Sequence, residues 1–270
     1  MSPEGGQLRE RAYLNLVDSS RQLFELDPGA KIESGEGWLF GAGRSSHPAI
    51  SNAAFRIDDG LDPALLLERA RVFFGELGRG FSLWVRDGAP EDRTLITAAE
   101  SAGLREVHAM PEMVLRRRAE EHPLPQGIEL RRLSSPDEAG DYWRIAAAAY
   151  ATNGFPPDVF RYDDHDGLLA GNVAAFTAYL DGAPVSIAMT IVSHGVAGIY
   201  WVGSVEEARG RGLGRIVTAA ATNAGFDLGA EIASLQASKM GRPIYEAMGF
   251  ETICSYRLLM SPPPRDAVRA

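Results

Sequence analysis

The run Arg209-Gly210-Arg211-Gly212-Leu213-Gly214 decides how the rest of this chain is read. An apolar stretch, Ile199-Tyr200-Trp201-Val202, leads into it. A helical pattern with Leu213, Val217, Ala220, Ala221, Ala224 and Leu228 on one face leads out. A strand, a glycine-rich turn and a helix start in that order form a cradle for phosphate. Glycines let backbone N–H groups converge on one point, the helix N-terminus contributes roughly half a positive charge, and Arg209 and Arg211 contribute whole ones.

Two common phosphate sites are excluded. A nucleoside triphosphate loop needs glycine, four residues and Gly-Lys-Ser/Thr, which the chain does not contain. A dinucleotide fingerprint needs its third glycine where Arg215 stands. What fits is Arg-x-x-Gly-x-Gly, read at Arg209, Gly212 and Gly214. It is followed by a strand over residues 233–237, a short helix and Tyr245-x-x-x-Gly249-Phe250. In this order and spacing the two elements resemble the GNAT superfamily of N-acetyltransferases, over residues 127–260.

The resemblance implies an α/β (α+β) acyl-CoA N-acyltransferase fold, a mixed and mostly antiparallel sheet flanked by helices. Its order is strand, two helices, three antiparallel strands, phosphate turn with helix, strand, helix and last strand. It also implies acetyl-CoA as co-substrate, lying in a wedge between the two central strands. The pyrophosphate would rest on Arg209, Gly210, Arg211, Gly212, Leu213 and Gly214, and the pantetheine arm would run along the backbone of Val202 and Ser204. Ser238 stands where the family often has an asparagine touching that arm. Tyr245 matches the tyrosine that protonates the departing thiolate, a task suited to a phenol, which with a pKa of about 10 stays protonated at neutral pH. The acceptor would be a primary amine of an unidentified small molecule or peptide, attacking directly.

A proton acceptor for that amine is harder to find. The strand before the turn offers Val196, Ile199, Tyr200 and Trp201, and no Glu or His; Glu206 and Glu207 read as facing solvent. Asp163-Asp164-His165-Asp166 is the densest polar cluster and falls where the family shapes its acceptor pocket, but its spacing is not that of metal ligands, and no metal is expected. Two other readings fit the same residues: an acyl-CoA-binding module without catalysis, and a tandem-GNAT enzyme of the mycothiol synthase type.

The chain's 270 residues leave room for two domains, and 45% hydrophobic with 23% charged residues is the balance of a soluble globular protein. A net charge of -9 argues against general nucleic-acid or anionic-membrane binding, so anion recognition must be local. The single cysteine, Cys254, allows no internal disulfide and fits a reducing compartment. Met1-Ser2-Pro3-Glu4 does not begin a signal peptide, and no apolar run approaches the roughly 18 residues of a membrane span, so the chain reads as cytoplasmic. Homodimer pairing through an exposed strand is compatible with the pattern.

The order strand, turn, helix, strand, helix, small residue-Gly-apolar, strand occurs twice, with Ala102-Gly103-Leu104 in the place of Met248-Gly249-Phe250. Residues 1–115 therefore read as a degenerate copy of the unit in residues 127–260. Where the second copy has Arg and Gly, the first has Asp58, Asp59 and Asp62, which would cap its own helix and repel a pyrophosphate. Residues 116–126 read as a linker and 261–270 as a Pro-rich tail.

Overall fold

A computed structural model describes residues 3–162 and 166–262. Its first half holds α1 (Pro3–Glu25), β1 (Lys31–Gly35), β2 (Trp38–Ala42), β3 (Asn52–Arg56), α2 (Pro63–Glu76), β4 (Phe81–Asp87), α3 (Pro90–Ser101) and β5 (Arg105–Leu115). The second half holds β6 (Ile128–Arg132), α4 (Pro136–Ala151), β7 (Val173–Leu180), β8 (Ala183–Ser193), β9 (Val196–Ser204), α5 (Leu213–Asp227), β10 (Ile232–Gln236), α6 (Arg242–Ala247) and β11 (Glu251–Ser261). Of the two helices expected between β6 and β7, α4 is the one α-helix found among the described residues. Gly154 and Pro156-Pro157 break the pattern, leaving 3-10 turns at Pro157–Phe160 and Asp166–Leu169. Among the described residues no helix is long and apolar enough to cross a membrane.

The chain divides into two compact units, and the division differs from a break near residue 115. A C-terminal unit comprises Met1–Ser19 and Glu112–Ile253, and an N-terminal unit comprises Ser20–Pro111 and Cys254–Ala270. In the C-terminal unit the strand order is β5-β10-β9-β8-β7-β6, antiparallel throughout except for the parallel pair β9 and β10. Its β5 residues, Glu112 to Leu115, come from the first half of the sequence. In the N-terminal unit the order is β1-β2-β3-β4-β11, with β3 and β4 parallel, and β11 comes from the end of the chain. Strand alternation specifies which residues share a face but not which strand lies alongside.

Local chemistry builds the C-terminal unit. Asp181-Gly182 and His194-Gly195 each take two left-handed conformations in succession, the backbone of a two-residue hairpin turn. The helix α5 covers one face of the sheet so closely that a Cβ on Gly225 would lie 2.3 Å from that of Ala197. On the opposite face, Asn15 of α1 donates to the carbonyls of Ile191 (3.0 Å) and Val196 (3.1 Å). There too α4 approaches β9 until a Cβ on Gly203 would lie 2.8 Å from that of Ala149. Residues 116–126 carry no regular structure, yet they are held. The Asn223 side chain accepts from the Ala119 N–H at 2.8 Å and donates to its carbonyl at 3.1 Å.

The two halves end their last helices identically. The Leu104 N–H donates to Ala99 and the Phe250 N–H to Tyr245, each at 3.0 Å, across Gly103 and Gly249 at φ 90° and 91°. Ala99 thus stands in the first half where the second has Tyr245. The first half also lacks an open helix start at α2, because the Asp62 carboxylate accepts from the Ala64 N–H at 3.0 Å. At the ends of its parallel strands, Arg56 and Arg86 pair with Asp59 and Asp92. Burial pushes the Asp92 carboxyl up, against the pull of Arg86. Removing one partner of a buried pair strands the other charge, so Asp92→Ala is expected to lower stability by about 3 kcal/mol in a denaturant titration; a loss within the scatter of surface variants would contradict this.

Candidate functional site

The parallel ladder between β9 and β10 is short. Val196, Ala197 and Gly198 face Ile232, Ala233 and Ser234, and pairing then stops while β9 continues to Ser204 and β10 to Gln236. A bulge in β9 accompanies the divergence. Met189 of β8 faces Tyr200 and Ile187 faces Gly203, so Trp201 and Val202 together oppose one residue. Trp201 sits at φ 52°, a costly conformation for a bulky side chain. The surroundings hold it there. Tyr150 and Phe160 pack edge-on to its ring at 5.4 and 4.9 Å, and the Tyr150 hydroxyl donates to the Val202 carbonyl at 3.0 Å. Beyond Gly198, then, β9 shows β10 a backbone edge that no strand among the described residues pairs with.

At the end of that edge lies the glycine turn. Ser204 keeps its hydroxyl on that of Ser186 (2.8 Å), a 3-10 turn follows at Glu206–Ala208, and Gly210 and Gly212 take φ 76° and 77°. Gly212 is the N-cap of α5, and no side chain caps that helix. A Cβ on Gly210 or Gly212 would meet nothing within 4 Å, so these residues are glycine for their backbone conformation and face open space. Leu213 anchors the turn in the core, Gly214 is half-buried, and Arg211 is exposed, as are Glu206 and Glu207.

Arg209 differs from expectation. Its guanidinium donates to the Ser204 carbonyl (3.3 Å), the Ala149 carbonyl (3.3 Å) and the Thr152 hydroxyl (2.8 Å). It ties the turn to the end of α4 and leaves the exposed Arg211 as the guanidinium of the motif available to a ligand. Arg215 was missed in the sequence. It lies in the first turn of α5, and its buried Nε has no hydrogen-bond partner among the described residues. A cation at a helix N-terminus is unfavourable unless an anion sits there, which is the signal that could have found it.

Tyr245 projects from α6 and is buried, its ring against the bare Cα of Gly241, where a Cβ would lie 2.7 Å away. Burial pushes its phenol up to about 12, with the Thr218 hydroxyl pulling it part of the way back. Tyr150 is raised further, by burial first and then by Tyr245 itself, so the two phenols share one buried region. Ser238 is exposed, and its hydroxyl accepts from the Gly241 N–H at 3.0 Å, bracing the turn into α6. Asp163, Asp164 and His165 lie outside the described residues. Asp166 is exposed. Among the described residues no cluster of three His, Cys, Asp or Glu side chains could hold a metal ion.

Residues 114–236 match the model of an acetyltransferase (GNAT) domain. A GNAT acetyltransferase domain is thereby recognised over residues 114–236. A GCN5-related N-acetyltransferase from Kribbella flavida shares the fold at TM-score 0.70 and 23% identity, over 94% of this chain and 98% of that one. One from Sphaerobacter thermophilus shares it at TM-score 0.63 and 13% identity, over 86% and 82%. A tandem GNAT protein from the clavulanic acid biosynthesis pathway does so at TM-score 0.61 and 14% identity, over 87% and 84%. No curated protein sequence matches the chain. The GNAT domain holds the splayed strands, the bulge and the uncapped helix in one unit.

One further group lies on the α1 face of this GNAT sheet. Glu112 of β5 is fully buried, with Oε2 accepting from the Gln236 amide at 2.7 Å, and burial pushes its carboxyl up to about 8. A carboxyl raised on folding favours the folded state while protonated. That stability is complete below the unfolded pKa near 4.5 and is lost as pH rises through the folded one. Relative to Glu112→Gln, the wild type should therefore lose on the order of 4 kcal/mol of unfolding free energy between pH 4.5 and 9. Denaturant titrations of both proteins at those pH values check this, and a constant difference between them would contradict it.

Proposed function

We propose that the C-terminal unit transfers an acetyl group from acetyl-CoA to a primary amine of a small molecule or peptide. The observation that carries the reading is the coincidence of two gaps in hydrogen bonding. The β9 edge beyond Gly198 has no partner strand among the described residues, and the α5 start next to it has no side-chain cap. An acyl-CoA fits both: an amide-bearing arm that can pair with a strand edge, and a diphosphate for a helix N-terminus.

In this reading the N–H groups from Gly210 to Gly214 receive the diphosphate, with Arg211 and Arg215 adding charge and Arg209 holding the turn in place. The pantetheine arm continues the sheet along Val202 and Ser204, and Ser238 lies at the rim. The thioester then reaches the bulge, where a backbone N–H can polarise its carbonyl. Tyr245 supplies the proton that the departing thiolate takes. Its elevated pKa keeps it protonated at neutral pH, and burial gives that proton few competitors. The N-terminal unit has Ala99 in place of the phenol and a capped α2, so one active site per chain is expected.

Thiol release from acetyl-CoA in the presence of a panel of amines tests the reaction. Tyr245→Phe should lower kcat about 100-fold while leaving CoA affinity within about twofold of wild type. Unchanged turnover would remove Tyr245 from the chemistry, and lost CoA affinity would make its role structural.

A further inference from the structure

Direct transfer from acetyl-CoA leaves the amine's proton without a destination. An amine near neutral pH is mainly ammonium and must lose that proton before it attacks. Beyond Gly198, β9 presents no carboxylate or imidazole.

Building on the acetyltransferase reading, we infer that Glu112 of β5 is the group that takes this proton, through a water lodged against its free oxygen beside the vertex of the β9–β10 wedge. Three observations place it there. The last rung of the parallel ladder pairs Gly198 with Ser234, Ser234 pairs in turn with Val114, and Glu112 pairs with Gln236, one step further toward the open end. Alternation from Val114 and Val196, which share a small core with Leu8 of α1, puts Glu112, Ser234, Gln236, Gly198 and Tyr200 on the face opposite α5. Trp201 is on that same face, against Tyr150 and Phe160. Finally, the Trp201 indole N–H is buried with no hydrogen-bond partner among the described residues, and Glu112 Oε1 has none beyond the weak pull of the nearby Ser234 hydroxyl, so this part of the face holds polar atoms that the fold leaves for something else.

Among the described residues no cation accounts for a carboxylate here. From β10, Glu112 faces the Gln236 amide and the nearby Ser234 hydroxyl, both of which favour its ionised form. From β9 it faces the Tyr200 phenol, which donates to Asn15 of α1 at 2.8 Å and is raised by burial and by the charges of Glu112 and Asp18. A group needed only to fill this space would be an amide or an alkyl chain, because an unpaired buried acid weakens the fold as pH rises. Glu112 sits near 8, close to the pH at which an amine must be relieved of its proton.

The step balances. One ammonium proton passes through the water to Glu112. The nitrogen lone pair forms the C–N bond to the thioester carbon, the C–S bond breaks, and the thiolate takes the Tyr245 proton. The second proton shed by nitrogen restores the phenol, and Glu112 releases its own to solvent. The net products are the amide, the free thiol and one proton.

The test compares full-length wild type, Glu112→Gln and Gln236→Met by kcat/KM for the acceptor across pH 6 to 10, with acetyl-CoA affinity and thermal unfolding measured alongside. Wild type should show a limb rising toward a plateau. Glu112→Gln should fall about 100-fold at the plateau and lose the limb, with acetyl-CoA affinity unchanged. Gln236→Met, which removes a hydrogen bond favouring the anion, should move the limb to higher pH. That second variant decides the matter if Glu112→Gln fails to fold, and an unmoved limb would then overturn the inference. A folded Glu112→Gln protein with wild-type rates and limb would overturn it too, leaving the acetyltransferase reading intact. Wild type that releases no thiol with any amine would sink both.

Discussion

Parallel pairing between β9 and β10 ends after Gly198 and Ser234, and the bulge at Trp201 keeps β9 from resuming a regular course. Had the two strands stayed paired, the β9 amides would be satisfied within the sheet and nothing could enter between them. The cost of a left-handed tryptophan is offset by the Tyr150 and Phe160 rings around it and by the Tyr150 hydrogen bond to Val202. Arg209 extends the same logic, binding the end of α4 to the glycine turn, so the aromatic wall and that turn are one mechanical piece.

Set side by side, the two halves of the chain agree in some features and part in others. Both have a parallel strand pair, the following helices and a glycine near φ 90° that closes the last helix. The N-terminal half fills its own openings: Asp62 caps α2, arginine–aspartate pairs occupy the strand ends, and Ala99 replaces the phenol. What it gives to chemistry is a strand, since β5 carries Glu112 into the C-terminal unit.

Features set by local chemistry were legible in the sequence. The glycines of the turn, the Asp-Gly hairpin and the Asp62-Pro63 helix start each follow from a residue whose backbone or side chain has few alternatives. Features set by tertiary partners were not. Period-two alternation showed β5 and β11 as strands but could not show that each pairs outside its own half. Trp201 carries no mark of its left-handed backbone, which neighbours impose. The charge of Arg209 was plain, but Ala149 and Thr152, which engage its guanidinium, lie 60 and 57 residues away and come within reach only once α4 has packed against β9. Glu112 is likewise unmarked in sequence, because it lies far from β9 along the chain and comes near it through the pairing of β5 with β10.

Coenzyme A should be gripped at two places at once, its diphosphate by the uncapped α5 start and its arm by the unpaired β9 edge. Calorimetric titration of the purified chain with coenzyme A and, separately, with pantetheine, which has the arm but no phosphate, separates the two contributions. Saturable heat from coenzyme A is expected, with binding at least roughly tenfold weaker for pantetheine. No heat from coenzyme A, or equal affinity for the two, would contradict it.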